Sequence, residues 1–399
     1  MIQRQATQPY FDRIHRGAPR PVTLRIVSFA ISGLATTSML ACTLFSGPDV
    51  SGAGRVAWRS PFDSVDVGWQ GQPAVADGRA FLFSLRQLRA VSMRDGRLLW
   101  KQPPLSETPG EAATLTAVNE MVVATFTNGI HAFNAANGAR LWWTQQERDY
   151  SSHHPATDGA YLYATSQSRR IDKIALTNGA LVWSAEMVSS ATGLRAIGVG
   201  VVERNDTLFV AGFRGVPGTR FRKAWVAAYN ARTGAVFWDS EPLPDRTGAI
   251  GRHVLAGDLL IFSDFEGGSV AAVSARSGEL VWRMVMDRYY VGPPSGPQLD
   301  GRVVYIGAGD VNVYALRVAD GSVIWRREIG GAVDNIGQCG NYVMAASTGV
   351  QYLLSKRTGA IVADQGRDLP ENEYFRSGYA VSNGMAAVSG KDAIYGFRC

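Results

Sequence analysis

The stretch AAVSARSGELVW, residues 271–282, decides the fold. An apolar run ends at Ser274, a polar turn closes on Gly278, and Trp282 follows four residues later. The same phrase returns as AVSMRDGRLLW (90–100), AFNAANGARLW (132–142), KIALTNGALVW (173–183), AAYNARTGAVFW (227–238) and YALRVADGSVIW (314–325). A further copy, YLLSKRTGAIVA (352–363), keeps Gly359 but has Ala363 in the tryptophan slot. Successive turn glycines are 42, 41, 55, 44, 43 and 38 residues apart. A fixed period of this size marks a repeat architecture in which each unit is one supersecondary motif.

Upstream of each copy lies a second turn between two apolar runs. Asp77-Gly78, Asp158-Gly159, Asp300-Gly301 and Asn383-Gly384 tolerate the positive φ of a two-residue hairpin. Asn119-Glu120, Asn205-Asp206, Gly257-Asp258 and Gly340-Asn341 fill the remaining slots. Each unit therefore reads as strand A, hairpin, strand B, strand C, glycine turn, strand D with Trp. There are eight such hairpins and seven glycine turns, because the last unit stops in its C strand at AIYGFRC. RVAWRS (55–60), with Trp58, reads as a D strand without its own A, B and C. Pairing it with the last C strand removes the exposed edge. The expectation is an all-β, eight-bladed propeller of four-stranded antiparallel blades over 55–399, closed by its N-terminal strand.

The pattern resembles the tryptophan-docking repeat of PQQ-type propellers. The resemblance assigns Trp58, Trp100, Trp142, Trp183, Trp238, Trp282 and Trp325 to holding neighbouring blades together, each indole N–H finding a backbone carbonyl. Ala363 is then expected to leave a weaker contact.

Ahead of the repeats, residues 1–41 carry five arginines (Arg4, Arg13, Arg16, Arg20, Arg25) against Asp12. That net +4 accounts for most of the formal +6, leaving +2 and no charge-based case for nucleic-acid binding. The uncharged run IVSFAISGLATTSMLA (26–41) behind these arginines reads as an export signal. Met39-Leu40-Ala41-Cys42 resembles a bacterial lipobox. The resemblance implies cleavage before Cys42 and acylation of that residue, giving stable membrane anchoring. Residues 42–54 read as lipidated cysteine and tether, and Thr43 favours the outer membrane by the same analogy.

Catalytic signatures are sparse. Quinoprotein dehydrogenases resemble this repeat, but they are much longer and often carry an adjacent cysteine pair. The sequence offers no Cys-Cys, no catalytic residue, no cofactor ligand and no metal ligand set. His153-His154 is the only histidine cluster, with His131 and His253 isolated. Asp264 and Glu266 are read as B–C turn residues. Cys339 and Cys399 fall on one face of neighbouring blades, and whether they pair stays open.

The D–A loops and B–C turns share one face and hold most of the sequence variety, which is where function concentrates on a rigid scaffold. The 55-residue spacing places an insertion, RGVPGTRFRK (214–223), there with Arg214, Arg220, Arg222 and Lys223. Trp69, Tyr150, Tyr289, Tyr290, Tyr374 and Phe375 add aromatic residues. Arginine and aromatic side chains anchor protein interfaces. Leader, repeat and missing catalytic groups together resemble the BamB family. Those lipoproteins support insertion of β-barrel proteins into the bacterial outer membrane and bind the barrel-forming subunit BamA. By position, the family's partner loop corresponds to SSATGLRAIG, with Leu194 and Arg195. The resemblance implies a non-enzymatic scaffold at the periplasmic face of the outer membrane, with a protein partner and no small-molecule substrate. The competing readings are a PQQ- or metal-dependent enzyme and a platform subunit of another envelope complex.

Overall fold

The computed structural model describes residues 55–62, 72–84, 87–105, 112–145, 149–150, 154–244, 250–264, 268–286, 296–333, 335–347, 350–364, 375 and 378–399. The segments read from sequence as export signal (1–41) and as lipidated cysteine with tether (42–54) lie outside them, as do Trp69, His153, Glu266, Tyr289, Tyr290 and Tyr374.

The first strand, β1 (Val56–Pro61), belongs to the last blade. Blade one is β2 (Ala74–Ala76), β3 (Arg79–Ser84), β4 (Gln87–Ser92) and β5 (Leu98–Lys101). Blade two is β6 (Ala112–Val118), β7 (Met121–Phe126), β8 (Gly129–Asn134) and β9 (Arg140–Gln145). Blade three is β10 (Ala156–Thr157), β11 (Tyr161–Thr165), β12 (Arg170–Ala175) and β13 (Leu181–Glu186). Blade four is β14 (Ala196–Arg204), β15 (Thr207–Gly215), β16 (Arg222–Asn230) and β17 (Val236–Ser240). Blade five is β18 (Ile250–Ala256), β19 (Leu259–Asp264), β20 (Ser269–Ser274) and β21 (Leu280–Val285). Blade six is β22 (Gln298–Asp300), β23 (Val303–Gly307), β24 (Asn312–Arg317) and β25 (Val323–Glu328). Blade seven is β26 (Asn335–Cys339), β27 (Tyr342–Ser347), β28 (Val350–Ser355) and β29 (Ile361–Asp364). Blade eight is β30 (Ala380–Ser382), β31 (Met385–Ser389), β32 (Ala393–Arg398) and β1. The eight-bladed reading and its closing strand are thus correct, with Trp58 facing Gly396 across the β1–β32 pair.

The middle strands are apolar on both faces because each blade is covered on both sides by its neighbours. In β7, five of six residues are buried, whereas β13 at the outer edge is mostly exposed or half-buried. The glycine turn has a definite geometry. Gly96 N–H donates to Ser92 O at 2.8 Å, and φ of +71° at Gly96 re-enters strand D through a bulge between Ala90 and Val91. The same turn recurs in blades two to seven, for example Gly138 to Asn134 and Gly278 to Ser274.

Hydrophobic residues collect in eight layers, each between two adjacent blades, and the layers follow one another round the ring. The tryptophans stitch these layers. Trp58 Nε1 donates to Met93 O (2.8 Å), Trp100 to Ala135 O (3.1 Å), Trp142 to Leu176 O (2.8 Å) and Trp183 to Ala231 O (3.2 Å). Trp238 donates to Ala275 O (3.2 Å), Trp282 to Val318 O (2.8 Å) and Trp325 to Lys356 O (2.9 Å). Each acceptor lies in the next blade, directly after its C strand. Each indole also lies on that blade's turn glycine, where a Cβ on Gly96 would come within 2.6 Å of Trp58 and one on Gly321 within 2.5 Å of Trp282. Ala363 sits half-buried in the layer between blades seven and eight. Cys339 and Cys399 do pair, and their disulfide spans that same layer with Cα atoms 4.7 Å apart.

One link crosses the centre of the ring. Arg252 of blade five donates to the Gln72 side-chain oxygen beside blade one, and the Gln72 amide donates to Tyr379 O of blade eight at 2.9 Å. Burial alone pulls the Arg252 guanidinium down to about 10.

Candidate functional site

Blade four departs from the common pattern, with nine residues in each of β14, β15 and β16. The insertion read from the sequence is strand only at its two ends, 214–215 in β15 and 222–223 in β16. β15 and β16 stay in register to the Gly215–Arg222 pair, and residues 216–221 form the tip. That tip is held by its own bonds: Val216 N–H to Phe221 O (3.0 Å), and the Thr219 N–H and hydroxyl to Val216 O (3.1 and 2.9 Å). Gly218 takes φ of +73° at the turn. The hairpin presents Arg220 and Arg222 to solvent. The Arg222 guanidinium lies 4.5 Å from the Phe213 ring centroid and that of Arg220 lies 5.9 Å from Phe221. Such stacking leaves the hydrogen-bonding edges of a guanidinium available.

The SSATGLRAIG segment forms the entry to the same blade. Ser189 N–H donates to Leu194 O (2.9 Å), Gly193 N–H to Ser189 O (2.7 Å) and Ala196 N–H to Met187 O (2.8 Å), closing a small loop with Gly193 at φ +67°. Leu194 is half-buried and Arg195 exposed. Arg195 Nη2 meets Glu186 Oε1 at 2.7 Å.

The two segments share one anchor that the sequence reading missed. Glu241, just beyond β17, accepts from Arg214 through both oxygens, with Nη2 to Oε2 at 2.7 Å. Lys223 Nζ reaches Oε2 at 3.3 Å, and the Ser189 hydroxyl donates to Oε1 at 2.6 Å. Burial alone would raise this carboxyl. The Arg214, Ser189 and Lys223 contacts outweigh it and hold the group down at about 2. Asp239 adds a second tie by accepting from Ser190 N–H (2.9 Å) and Trp225 Nε1 (3.2 Å). Arg214 is consequently buried and committed inside the hairpin, while Arg195, Arg220 and Arg222 face outward. A glutamate three residues after the Trp also occurs as Glu186 and Glu328, and that recurrence was the available signal.

Other candidates are bound up in packing. Tyr150, read as a loop aromatic, is fully buried and donates to Asp172 at 2.6 Å, and Phe375 packs on Tyr395 and Phe397. Asp264, expected in a turn, ends β19 and is buried beside Ser269 Oγ at 3.2 Å. His131 stands among Phe126, Phe133 and Trp143 rings. His253 Nε2 donates to Phe209 O at 3.2 Å, and burial pushes this imidazole down to about 4. His154, of the sequence pair His153-His154, pairs through its backbone with Val199 and Val201. Among the described residues no three His, Cys, Asp or Glu side chains gather as a metal site.

Comparison with known proteins separates fold from family. Quinohemoprotein alcohol dehydrogenase from Comamonas testosteroni superposes with a TM-score of 0.67 at 12% identity, over 87% of this chain and 77% of that one. BamB from Moraxella catarrhalis superposes with a TM-score of 0.56 at 19% identity, over 74% of this chain and 95% of that one. At these identities the likeness shows the propeller fold alone. In sequence, the outer membrane protein assembly factor BamB of Yersinia pestis is 24% identical over 233 residues, 53% of this chain and 55% of that protein. The chain thus spans about half the length of the curated relative it matches. The family model described as outer membrane protein assembly factor BamB matches residues 49–218 and 222–373. By that match, which runs through most of the blades, the chain belongs to the BamB family of outer membrane protein assembly factors.

Proposed function

We propose that this propeller is a non-enzymatic scaffold that supports assembly of β-barrel proteins in the outer membrane by docking a BamA-like partner through blade four. The observation that carries the reading is the joining of two separate loop segments at Glu241. Leu194 and Arg195 on one, with Arg220 and Arg222 on the other, make an arginine-rich face on a rigid blade, backed by Arg214 as positioning residue. Exposed arginines beside aromatic rings suit a desolvated protein contact. Tyr289 and Tyr290, between β21 and β22 in sequence, lie outside the described residues and are proposed as partner contacts from the sequence reading. Cys42 provides the lipid anchor in this reading, at the periplasmic side of the outer membrane. No cofactor, metal or nucleic acid enters the mechanism.

Photo-crosslinkers at Leu194, Arg195 and Arg220 test it in the intact envelope. Capture of the barrel-forming subunit is expected from these positions and not from the A–B turn at Asn205. Capture of a different envelope complex would favour the platform reading. An enzymatic reading rests on the likeness to quinohemoprotein dehydrogenases. Reconstitution with PQQ and calcium, followed by dye reduction, distinguishes it: turnover would overturn the scaffold reading.

A further inference from the structure

We infer that the Cys339–Cys399 disulfide is the eighth blade clamp, standing where the ring cannot use a tryptophan, and that it makes closure of the propeller dependent on oxidation. The argument begins with equivalence of position. In seven blades the residue after strand C uses its N–H to reach back to the A–B hairpin: Met93 to Gly78 O, Ala135 to Glu120 O, Leu176 to Ala160 O, Ala231 to Asp206 O, and so on to Lys356 and Asn341 O. Cys399 does the same in blade eight, donating to Gly384 O at 2.9 Å. Its seven counterparts are the residues whose carbonyls accept the indoles of the preceding blades. Cys399 therefore occupies the docking position for blade seven.

Neither half of the tryptophan clamp exists there. Blade seven carries Ala363 in the indole slot. Blade eight has no turn glycine to receive an indole, because the neighbour of β32 is β1, not a strand reached through a C–D turn. An indole at 363 would lack the platform that Gly96, Gly138 and their equivalents provide. A covalent bond to Cys339, at the end of β26, joins the two blades at that position instead. Cys339 is fully buried, whereas Cys399 is half-exposed and open to exchange.

Formation of the clamp balances as a thiol–disulfide exchange. The two thiols lose two protons and two electrons, an S–S bond forms, and the disulfide of a donor oxidant is reduced to two thiols. Such donors operate in oxidising compartments.

The test compares hydrogen exchange in the oxidised full chain, the same folded protein treated with a reductant, and a Cys339→Ala/Cys399→Ala variant. Opening the clamp is expected to speed exchange at least tenfold in β26, β32 and β1, with blades three to five unchanged. Reduction of already folded protein keeps the experiment decisive if the double variant does not fold. An unchanged β32, or equal loss of protection in all blades, would overturn the inference. So would alkylation of both cysteines in protein taken from the envelope without reductant.

Discussion

At the residue scale, the turn glycines and the docked indoles form one unit, and each constrains the other. Gly321 combines φ of +71° with an indole 2.5 Å from where a Cβ would lie. Gly321→Ala adds both left-handed strain and a collision with the rigid Trp282 ring. It is expected to cost about 1–3 kcal/mol, read as a lower urea midpoint. Gly301, with φ of +56° and open space around it, is the control: Gly301→Ala meets strain without collision and costs less. The turn glycines were legible in sequence because the same glycine–tryptophan spacing is written six times, with a seventh turn at Gly359. His253 was not, since its role depends on depth and not on spacing. Its folded pKa of about 4 lies below the unfolded 6.5, so in that window the unfolded chain binds a proton that the folded chain does not. Stability is therefore complete above pH 6.5 and falls as pH drops towards 4, by up to about 3 kcal/mol. His253→Gln keeps a donor for Phe209 O and is expected to flatten that slope in urea titrations between pH 7 and 4. An unchanged slope would assign the acid sensitivity elsewhere, while Glu241, held near 2, acts only below its ordinary 4.5.

At the element scale, blade four shows why a repeat reveals its exceptions only in part. The long spacing marked an insertion, and its chemistry pointed to a charged loop. Strand pairing extended into both its ends, so 214–215 and 222–223 joined the nine-residue strands β15 and β16 and 216–221 stayed a tip. The reason is local: Arg214 and Lys223 face each other across the pair and share Glu241, which neutralises charge that would otherwise splay the hairpin. That partner lies beyond β17, three residues after Trp238, and its signal in sequence is the same glutamate offset at Glu186 and Glu328, outside the glycine–tryptophan phrase itself. Glu241→Gln leaves two cations near a neutral amide. Removing one member of a buried ion pair costs about 3–5 kcal/mol, and here the loss is expected to appear locally. Hydrogen exchange should rise in 187–195 and 214–223 together, because both segments hold Glu241, while blades one and eight keep their protection. Independent behaviour of the two segments would show that they are not one surface. On the proposed function, the same variant weakens partner capture without moving Arg220 or Arg222 in sequence.

At the scale of the whole molecule, the core is eight thin layers, each shared by two blades. In an open row of such units the end blades would have one partner each and would fray first. Ring closure removes the ends, and β1 accomplishes it twice over. It completes the sheet of blade eight through β32, and its Trp58 clamps blade one through Met93 O and Gly96. This arrangement could be read from an arithmetic mismatch between hairpins and glycine turns. The cross-ring Arg252–Gln72 bond could not, since residues 180 apart in sequence meet only once the ring exists. Two changes that each remove one docked indole separate closure from simple packing. Trp142→Ala removes one indole from a closed ring and is expected to cost about 3–5 kcal/mol with unfolding still a single transition. Deleting residues 55–61 removes one indole as well, but also bares the edge of β32 and leaves blades eight and one as termini. Exchange should then begin in those two blades, and the urea transition should broaden to a smaller slope as the ring opens before the rest unfolds. If the deletion were no worse than Trp142→Ala, with protection lost evenly, the fold would not depend on being a ring.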